Sequence, residues 1–556
     1  MNVADYIADF LYELGVRNIF MLSGTGSVKL DDAFARKKGM KYICSRHEAT
    51  AVVMAEAVAK LKNNLGVAVV TTGPGGTNAI AGVVEAWVDS TPVMVISGQV
   101  SSTQYIKDRA FGIQGFNIID NVEKFTKYSA LLTDPNLIKY HLEKAVYEAT
   151  SGRPGPVWID IPMDLQSKEV DLDNMIGFVP PICDINKTHL YDLLIEKIIS
   201  SERPLIAFGK GVKISKTTEK LIKILEELNV PSISARMAND AIPFSHKNYF
   251  GMGGIRGRRC AARVMKKADL LVALGTSCSF AFLGEDNACL NSGCQIAVVN
   301  IDEKIFTRKD LEIELGIQAD LDNFLSYLLK NINTIKQRTN FKKWLGLCQT
   351  IKKEYPMVVD SMKGNPINSY HLIECLSQLT DSRHIFINDA GSSAYISSQA
   401  LNFKDGQREL TSGAFYTMGL TLPLAIGAAV CEPNSQIIAI SGDGSLELNI
   451  QELQTININN LNIKVFVINN GGYASIRDSQ DAMCGGRYTD SEQILNFQKI
   501  ANAFGLGYEI IETEDQIENK VKSVLSESSP MLIEVVCDSQ QHMIQPLEEM
   551  KELENR

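Results

Sequence analysis

The sequence predicts an α/β protein of three doubly wound domains with mostly parallel sheets, and three observations lead there. The chain has 556 residues, well past the size at which one hydrophobic core keeps growing. Short, wholly apolar runs such as Val67-Ala68-Val69-Val70 and Val93-Met94-Val95-Ile96 alternate with longer amphipathic stretches. A strand apolar along its whole length must be covered on both faces, as a parallel strand between two helical layers is. This alternation occurs three times, over about residues 1–170, 188–330 and 365–556.

In the first region the periodicity gives a helix over Ala4–Leu14, strands over Asn18–Met21 and Lys41–Cys44, and a helix over Glu48–Leu61. A strand over Gly66–Thr72, a helix over Thr77–Asp89 and a strand over Val93–Gly98 follow. Prolines 154, 156 and 162 bracket Val157–Ile161, so this strand is expected at a sheet edge. Residues Ser167–Lys187 read as a polar linker. The second region has strands within Pro204–Gly209, Ala268–Gly275 and Cys294–Asp302, and Asn331–Lys353 is a Lys-rich connector. The tail Lys551–Arg556 reads as a solvated helix end.

Composition excludes several classes. The chain is 45% hydrophobic and 22% charged, which is ordinary for a globular protein, and its net charge of −10 argues against a nucleic-acid surface. No apolar stretch reaches the roughly 18 residues of a membrane span, and the acidic, helical N-terminus is not a signal peptide, so no membrane partner and a cytoplasmic address are expected. Eleven cysteines without a C-x-x-C pair and seven histidines without paired metal spacing point to free thiols rather than disulfides or zinc.

The most informative stretch is Ile440–Ile476. It reads as a strand ending in Gly442-Asp443-Gly444, a helix from about Asn449 to Asn457, a strand over Ile463–Ile468, and a tight turn at Asn469-Asn470-Gly471-Gly472. A carboxylate at one strand end and an amide at the next can meet on one hard cation. Mg²⁺ takes oxygen ligands and shares them with phosphates. Asp443, the Asn470 side-chain oxygen and the Gly472 carbonyl supply such oxygens, and Ser445 starts a helix whose free N–H groups suit phosphate. Elsewhere, Glu48 stands at a strand-to-helix junction, where side chains line crevices.

The segment GDGSLELNIQELQTI resembles the cofactor signature of thiamine diphosphate enzymes, most closely the acetolactate synthase and related decarboxylase group. The resemblance covers nearly the whole chain. It implies an N-terminal pyrimidine-binding domain, a middle domain and a C-terminal diphosphate-binding domain. Mg²⁺ and diphosphate are then held at Asp443, Asn470 and Gly472, with Gly442, Gly444, Ser445, Tyr473 and Ile476 around them. Arg46-His47-Glu48 matches the position of the family's single essential glutamate, which hydrogen-bonds the aminopyrimidine and activates the cofactor. Thr72–Asn78 matches the TSGPGATN segment, placing Gly75 and Asn78 beside the pyrimidine, and Gln114 matches a glutamine facing the substrate. Met418 falls where a large apolar residue bends the cofactor, and the Tyr416 carbonyl accepts from its amino group. Gly391-Ser392-Ser393 matches the second diphosphate loop, with two serines where the synthases more often have Gln-His.

The middle domain departs from the family. Synthases with FAD carry an arginine- and acid-rich segment where this chain continues Thr276-Ser277-Cys278-Ser279-Phe280, and Gly209-x-Gly211 is a faint dinucleotide pattern, so FAD is not expected. Arg477-Asp478-Ser479-Gln480 stands where the synthases have a tryptophan of the substrate pocket. Leu22-Ser23-Gly24-Thr25-Gly26 replaces Tyr-Pro-Gly-Gly, and Lys29 adds a cation nearby. These changes resemble synthase-like enzymes of sugar and polysaccharide pathways. The resemblance implies decarboxylation of a 2-keto acid such as pyruvate, with carboligation to a carbonyl acceptor, in a homodimer or homotetramer with the site at the subunit interface. The alternatives are a thiamine diphosphate-dependent cyclic diketone hydrolase and a non-catalytic regulatory relative.

Overall fold

The computed structural model describes residues 1–109, 111–181, 188–489 and 495–554; the end of the expected linker, 182–187, and the last two residues of the tail lie outside the described residues. Three six-stranded sheets form, and every strand pair within them is parallel. From edge to edge, the first runs Lys41–Cys44, Asn18–Met21, Gly66–Val70, Val93–Gln99, Val157–Pro162, Tyr128–Leu131. The third runs Arg408–Leu410, His384–Ile387, Gln436–Gly442, Ile463–Asn469, Met531–Val536, Gly507–Ile511. These two sheets share one strand order. The chain leaves the second-listed strand to one side and returns on the other, so a crevice opens at the carboxyl ends of the second and third strands of each. In the middle sheet the reversal falls between Pro204–Phe208 and Leu270–Leu274.

One expectation is corrected. Val157–Pro162 is an interior strand, paired with Val93–Gln99 and with Tyr128–Leu131, and the latter is the edge. Pro154 and Pro156 precede the strand and Pro162 closes it, so residues 157–161 keep the N–H groups a central strand needs. The Lys-rich connector is helical, over Ile332–Arg338 and Lys342–Glu354. Its second helix is amphipathic, burying Trp344, Leu345, Cys348 and Ile351, and the Trp344 indole donates to Pro204 O at 2.9 Å.

The first and third domains share one core. Helix Glu48–Lys62 is rich in alanine and buried along nearly its whole length. It packs against helix Thr421–Cys431, which is buried from Thr421 through Ala429. Gly427 makes the crossing close, since a Cβ there would lie 2.3 Å from Met54 O. The site loops are thereby mounted on two helices that cannot move independently.

Candidate active site at two strand-end crevices

The third-domain crevice gathers the residues that the sequence assigns to a cation. Asp443, 1% exposed, follows strand Gln436–Gly442. Its carboxylate accepts from its own turn at Gly444 N and, across to the next strand's end, from Gly472 N, both at 2.8 Å. The Asn470–Gly472 turn is therefore docked on Asp443. Burial pushes the Asp443 carboxyl above its ordinary range, while the N–H groups of Gly472, Gly444 and Asn470 and the Arg477 charge pull it back. Among the described residues no group of three or more His, Cys, Asp or Glu could hold a metal. A cation here must be completed by amide, backbone and ligand oxygens, and that hard-oxygen set fits Mg²⁺.

Neighbouring loops close the crevice. Gly442 faces the second predicted phosphate loop, its Cβ position 3.6 Å from Ser393 Oγ, and Gly391 faces Ser475. Ser392 is half-buried, and the Ser393 hydroxyl donates to Ala390 O at 3.2 Å. The Tyr473 ring covers Gly444, where a Cβ would meet it at 2.4 Å. Ile476 is exposed at the rim. Ser445 has a further role, since its hydroxyl donates to Asp389 at 2.6 Å and accepts from Gly419 N at 2.8 Å. Ser445 thus anchors the loop that carries Tyr416 and half-buried Met418. Tyr416 has φ +52°, a left-handed backbone unusual for a side chain of this size.

The first-domain crevice holds Glu48. His47 caps its helix, Nδ1 accepting from Ala49 N at 3.2 Å, and Glu48 opens the first turn, where a carboxylate suits the helix dipole. Glu48 is 7% exposed and accepts from Asn78 Nδ2 at 3.0 Å. Gly75 leaves room beside it, its Cβ position 3.6 Å from Glu48 Oε1. Gly73, at φ +60°, lets Gln114 approach, since a Cβ there would lie 2.2 Å from Gln114 O. Glu48, Gly75 and Asn78 are thus neighbours, and Gln114 lies against Gly73 of the same loop. The hydrogen bonds of Glu48 and of Asp443 each stay within their own domain.

Sequence reasoning missed three acids that join the domains. Glu452, fully buried, accepts from Arg46 N at 2.8 Å and Thr50 Oγ1 at 2.7 Å, gripping the first turn that carries Glu48. Glu85 accepts from Ser412 Oγ and Thr417 Oγ1, both at 2.6 Å, so a first-domain helix holds the Tyr416–Met418 loop. Asp89 accepts from Gly413 N at 3.0 Å. The available signal was an acid at an inward position of an otherwise apolar helix. Arg477, read as a departure in the substrate pocket, is buried against the Asn470–Gly472 turn. A cavity of about 680 Å³ lies where the three domains meet, lined by Lys210, Arg236, Arg256, Gly275 and Tyr416 among others. Gly209 and Gly211 beside it permit contact with the Gly275 loop, each Cβ position lying 2.6 Å from Gly275 backbone atoms.

Comparison with known proteins agrees with this geometry. Profiles of the thiamine pyrophosphate enzymes match in three parts: the N-terminal TPP binding domain over residues 1–124, the central domain over 192–328 and the C-terminal TPP binding domain over 389–535. The acetolactate synthase large subunit of Lactococcus lactis is 30% identical over 540 residues, covering 96% of this chain and 92% of that protein. Acetolactate synthase isozyme 1 large subunit of Escherichia coli K12 is 27% identical over 546 residues, covering 97% and 94%. The chloroplastic acetolactate synthase 2 of Nicotiana tabacum is 28% identical over 564 residues, covering 97% and 83%. The chain therefore belongs to the thiamine pyrophosphate enzymes, using thiamine diphosphate with Mg²⁺, and within them it is acetolactate synthase-like.

Proposed function

We propose that this enzyme decarboxylates a 2-keto acid, pyruvate, and joins the resulting acyl unit to a carbonyl acceptor. The observation that carries the reading is the docking of the Asn470–Gly472 turn on buried Asp443, an oxygen-only set that would hold a hard cation beside a diphosphate. The relatives are acetolactate synthases, and acetolactate is the product expected when an acyl unit from one pyruvate joins a second. When bound, thiamine diphosphate contributes a nucleophilic carbon and an electron sink, and the protein binds, orients and moves protons around it.

In this reading Asp443, Asn470 and the Gly472 carbonyl hold Mg²⁺. Gly442, Gly444, Gly391, Ser392 and Ser393 border the diphosphate, with Tyr473, Ile476 and Ser445 shaping that end. Met418 would pack against the cofactor, and the Tyr416 carbonyl would accept from its amino group. Glu48, steadied by Asn78 and beside Gly75, would hold and move a proton at its carboxylate, and Gln114 would face the substrate. The domains are taken as 1–170, 188–330 and 365–556. No flavin is expected in the interdomain cavity; flavin absorbance in the purified protein would refute that part.

A second copy of the chain completes the site. The support is twofold: Glu48 and Asp443 bond within their own domains, and large apolar side chains beside the two crevices are exposed, among them Val28, Ile113, Phe415, Leu448 and Ile476. Mixing Glu48→Gln and Asp443→Asn proteins tests it directly. A shared site regains activity in hybrids, because one of the two sites keeps both groups, whereas a site within one chain regains none. The substrate is tested by mass spectrometry of products from pyruvate with a panel of aldehyde, keto-acid and nucleotide keto-sugar acceptors. Acetolactate or a mixed ligation product is expected. Cleavage of a cyclic diketone without ligation would overturn the proposal.

A further inference from the structure

Arg477 opens the stretch Arg477–Gln480, where the synthases have a tryptophan of the substrate pocket, yet its side chain turns back to the Asn470–Gly472 turn. Its side chain runs back from the first turn of helix Ala474–Cys484 and is 5% exposed. Nη1 donates to Gly471 O and Nη2 to Asn470 O, both at 2.8 Å. Asp443 grips the same turn from the opposite strand through Gly472 N, also at 2.8 Å. The turn is thus held on one side by an acceptor for its N–H and on the other by a donor to its carbonyls.

The turn needs both grips. Gly471 and Gly472 adopt φ of +74° and +116°, conformations natural to glycine, and two successive glycines give the backbone wide freedom. Mg²⁺ tolerates little of that freedom, because it asks for near-octahedral geometry at roughly 2.0–2.1 Å. A planar guanidinium fixes two carbonyls at a set separation, which an ammonium point charge cannot do. The charge acts the other way, since a cation beside a cation site weakens Mg²⁺ binding. Geometry and charge therefore predict opposite effects of removing the side chain, and a variant that keeps the charge separates them.

We propose that Arg477 is a positioning residue of the cation clamp, holding the Asn470–Gly472 turn so that its oxygens face the cation at Asp443, and that it does not bind substrate. The proposal rests on Asp443, Asn470 and Gly472 being the metal-binding set. The test titrates Mg²⁺ into wild type, Arg477→Lys, Arg477→Gln and Asp443→Asn at saturating thiamine diphosphate without substrate, following cofactor binding by circular dichroism. Both Arg477 variants are expected to need about tenfold more Mg²⁺, as for loss of an outer-shell partner, while the cofactor-free protein stays folded at the titration temperature. At saturating Mg²⁺ their KM for the keto acid should equal that of wild type. An Arg477→Lys midpoint within about twofold of wild type would overturn the inference, as would a raised KM with an unmoved midpoint. If Asp443→Asn binds cofactor and Mg²⁺ like wild type, the metal assignment fails and the inference with it. If Asp443→Asn loses Mg²⁺-dependent binding while Arg477→Lys keeps it, the inference alone fails.

Discussion

The first and third domains repeat one strand order and open a crevice at the same reversal point, yet they fix their functional groups by different means. In the first, the group is a side chain, Glu48, on a helix buried nearly end to end against Thr421–Cys431. In the third, part of the proposed set lies on a backbone turn containing two glycines, which donates to Asp443 and accepts from Arg477. A carboxyl that exchanges a proton needs hydrogen-bond distance and direction, which a rigid helix supplies. A Mg²⁺ ligand carbonyl needs placement to tenths of an ångström, which requires groups bonded to the turn itself. One scaffold thus yields rigidity by packing at the first crevice and by polar contacts at the third.

The largest test of that contrast is Glu48→Gln. If the first crevice contributes a proton-exchanging carboxyl, kcat should fall by about 10²–10⁴-fold while Mg²⁺ and cofactor still bind, because the clamp lies in the other domain. Near-wild-type turnover at saturating cofactor would remove Glu48 from the chemistry. A smaller effect is expected from Glu452→Ala, which sharpens the claim that packing alone does not place Glu48. The substitution leaves the Arg46 N–H without its acceptor, at a cost of about 1–3 kcal/mol where buried, while the Thr50 hydroxyl keeps only His47 O at 2.6 Å. The helix start should then shift, lowering kcat by roughly 10- to 100-fold. Glu452→Gln, which still offers an oxygen, should recover much of the loss. A Glu452→Ala protein with a lower melting temperature but unchanged kcat would show that helix packing suffices.

The two regions also differ in how far the sequence reveals them. Short apolar strands and the Gly442-Asp443-Gly444 to Asn469-Asn470 spacing are local signals, and the three-layered α/β fold followed from them. Strand neighbours are not local. The prolines around Val157–Ile161 suggested an edge, but position in a sheet depends on which strand arrives beside it, here Tyr128–Leu131. The same limit hid Glu85 and Glu452, since an inward acid on a helix shows that a partner exists without saying that it comes from residue 412 or 46. Arg477 was visible as a departure, but only its hydrogen bonds show that it serves the turn.

The smallest expected effect concerns the polar seam between the domains. Glu85, on the helix that begins at Pro74, receives the Ser412 and Thr417 hydroxyls. Burial first, and then the charges of Glu56 and Asp89, push its carboxyl up to about 7, against an opposing pull from Lys60. Because the folded-state value is raised, the native protein keeps a proton that the unfolded chain has already lost between about pH 4.5 and 7. Stability from this group is therefore present at low pH and lost as pH rises through about 7. Glu85→Gln is neutral throughout and removes that dependence. Between pH 5 and pH 8 the wild-type thermal midpoint should drop roughly 1–3 °C further than that of the variant, the small size reflecting a chain of this length. Other buried acids, such as Asp160 with its carboxyl also pushed up to about 7, add to the slope of both proteins and cancel in the difference. Parallel pH dependences would mean that Glu85 is ionised in the fold at pH 5, held so by its two hydroxyl donors and Lys60. The seam would then be an ion-paired contact, and the contrast between a packed first crevice and a polar third one would lose its boundary.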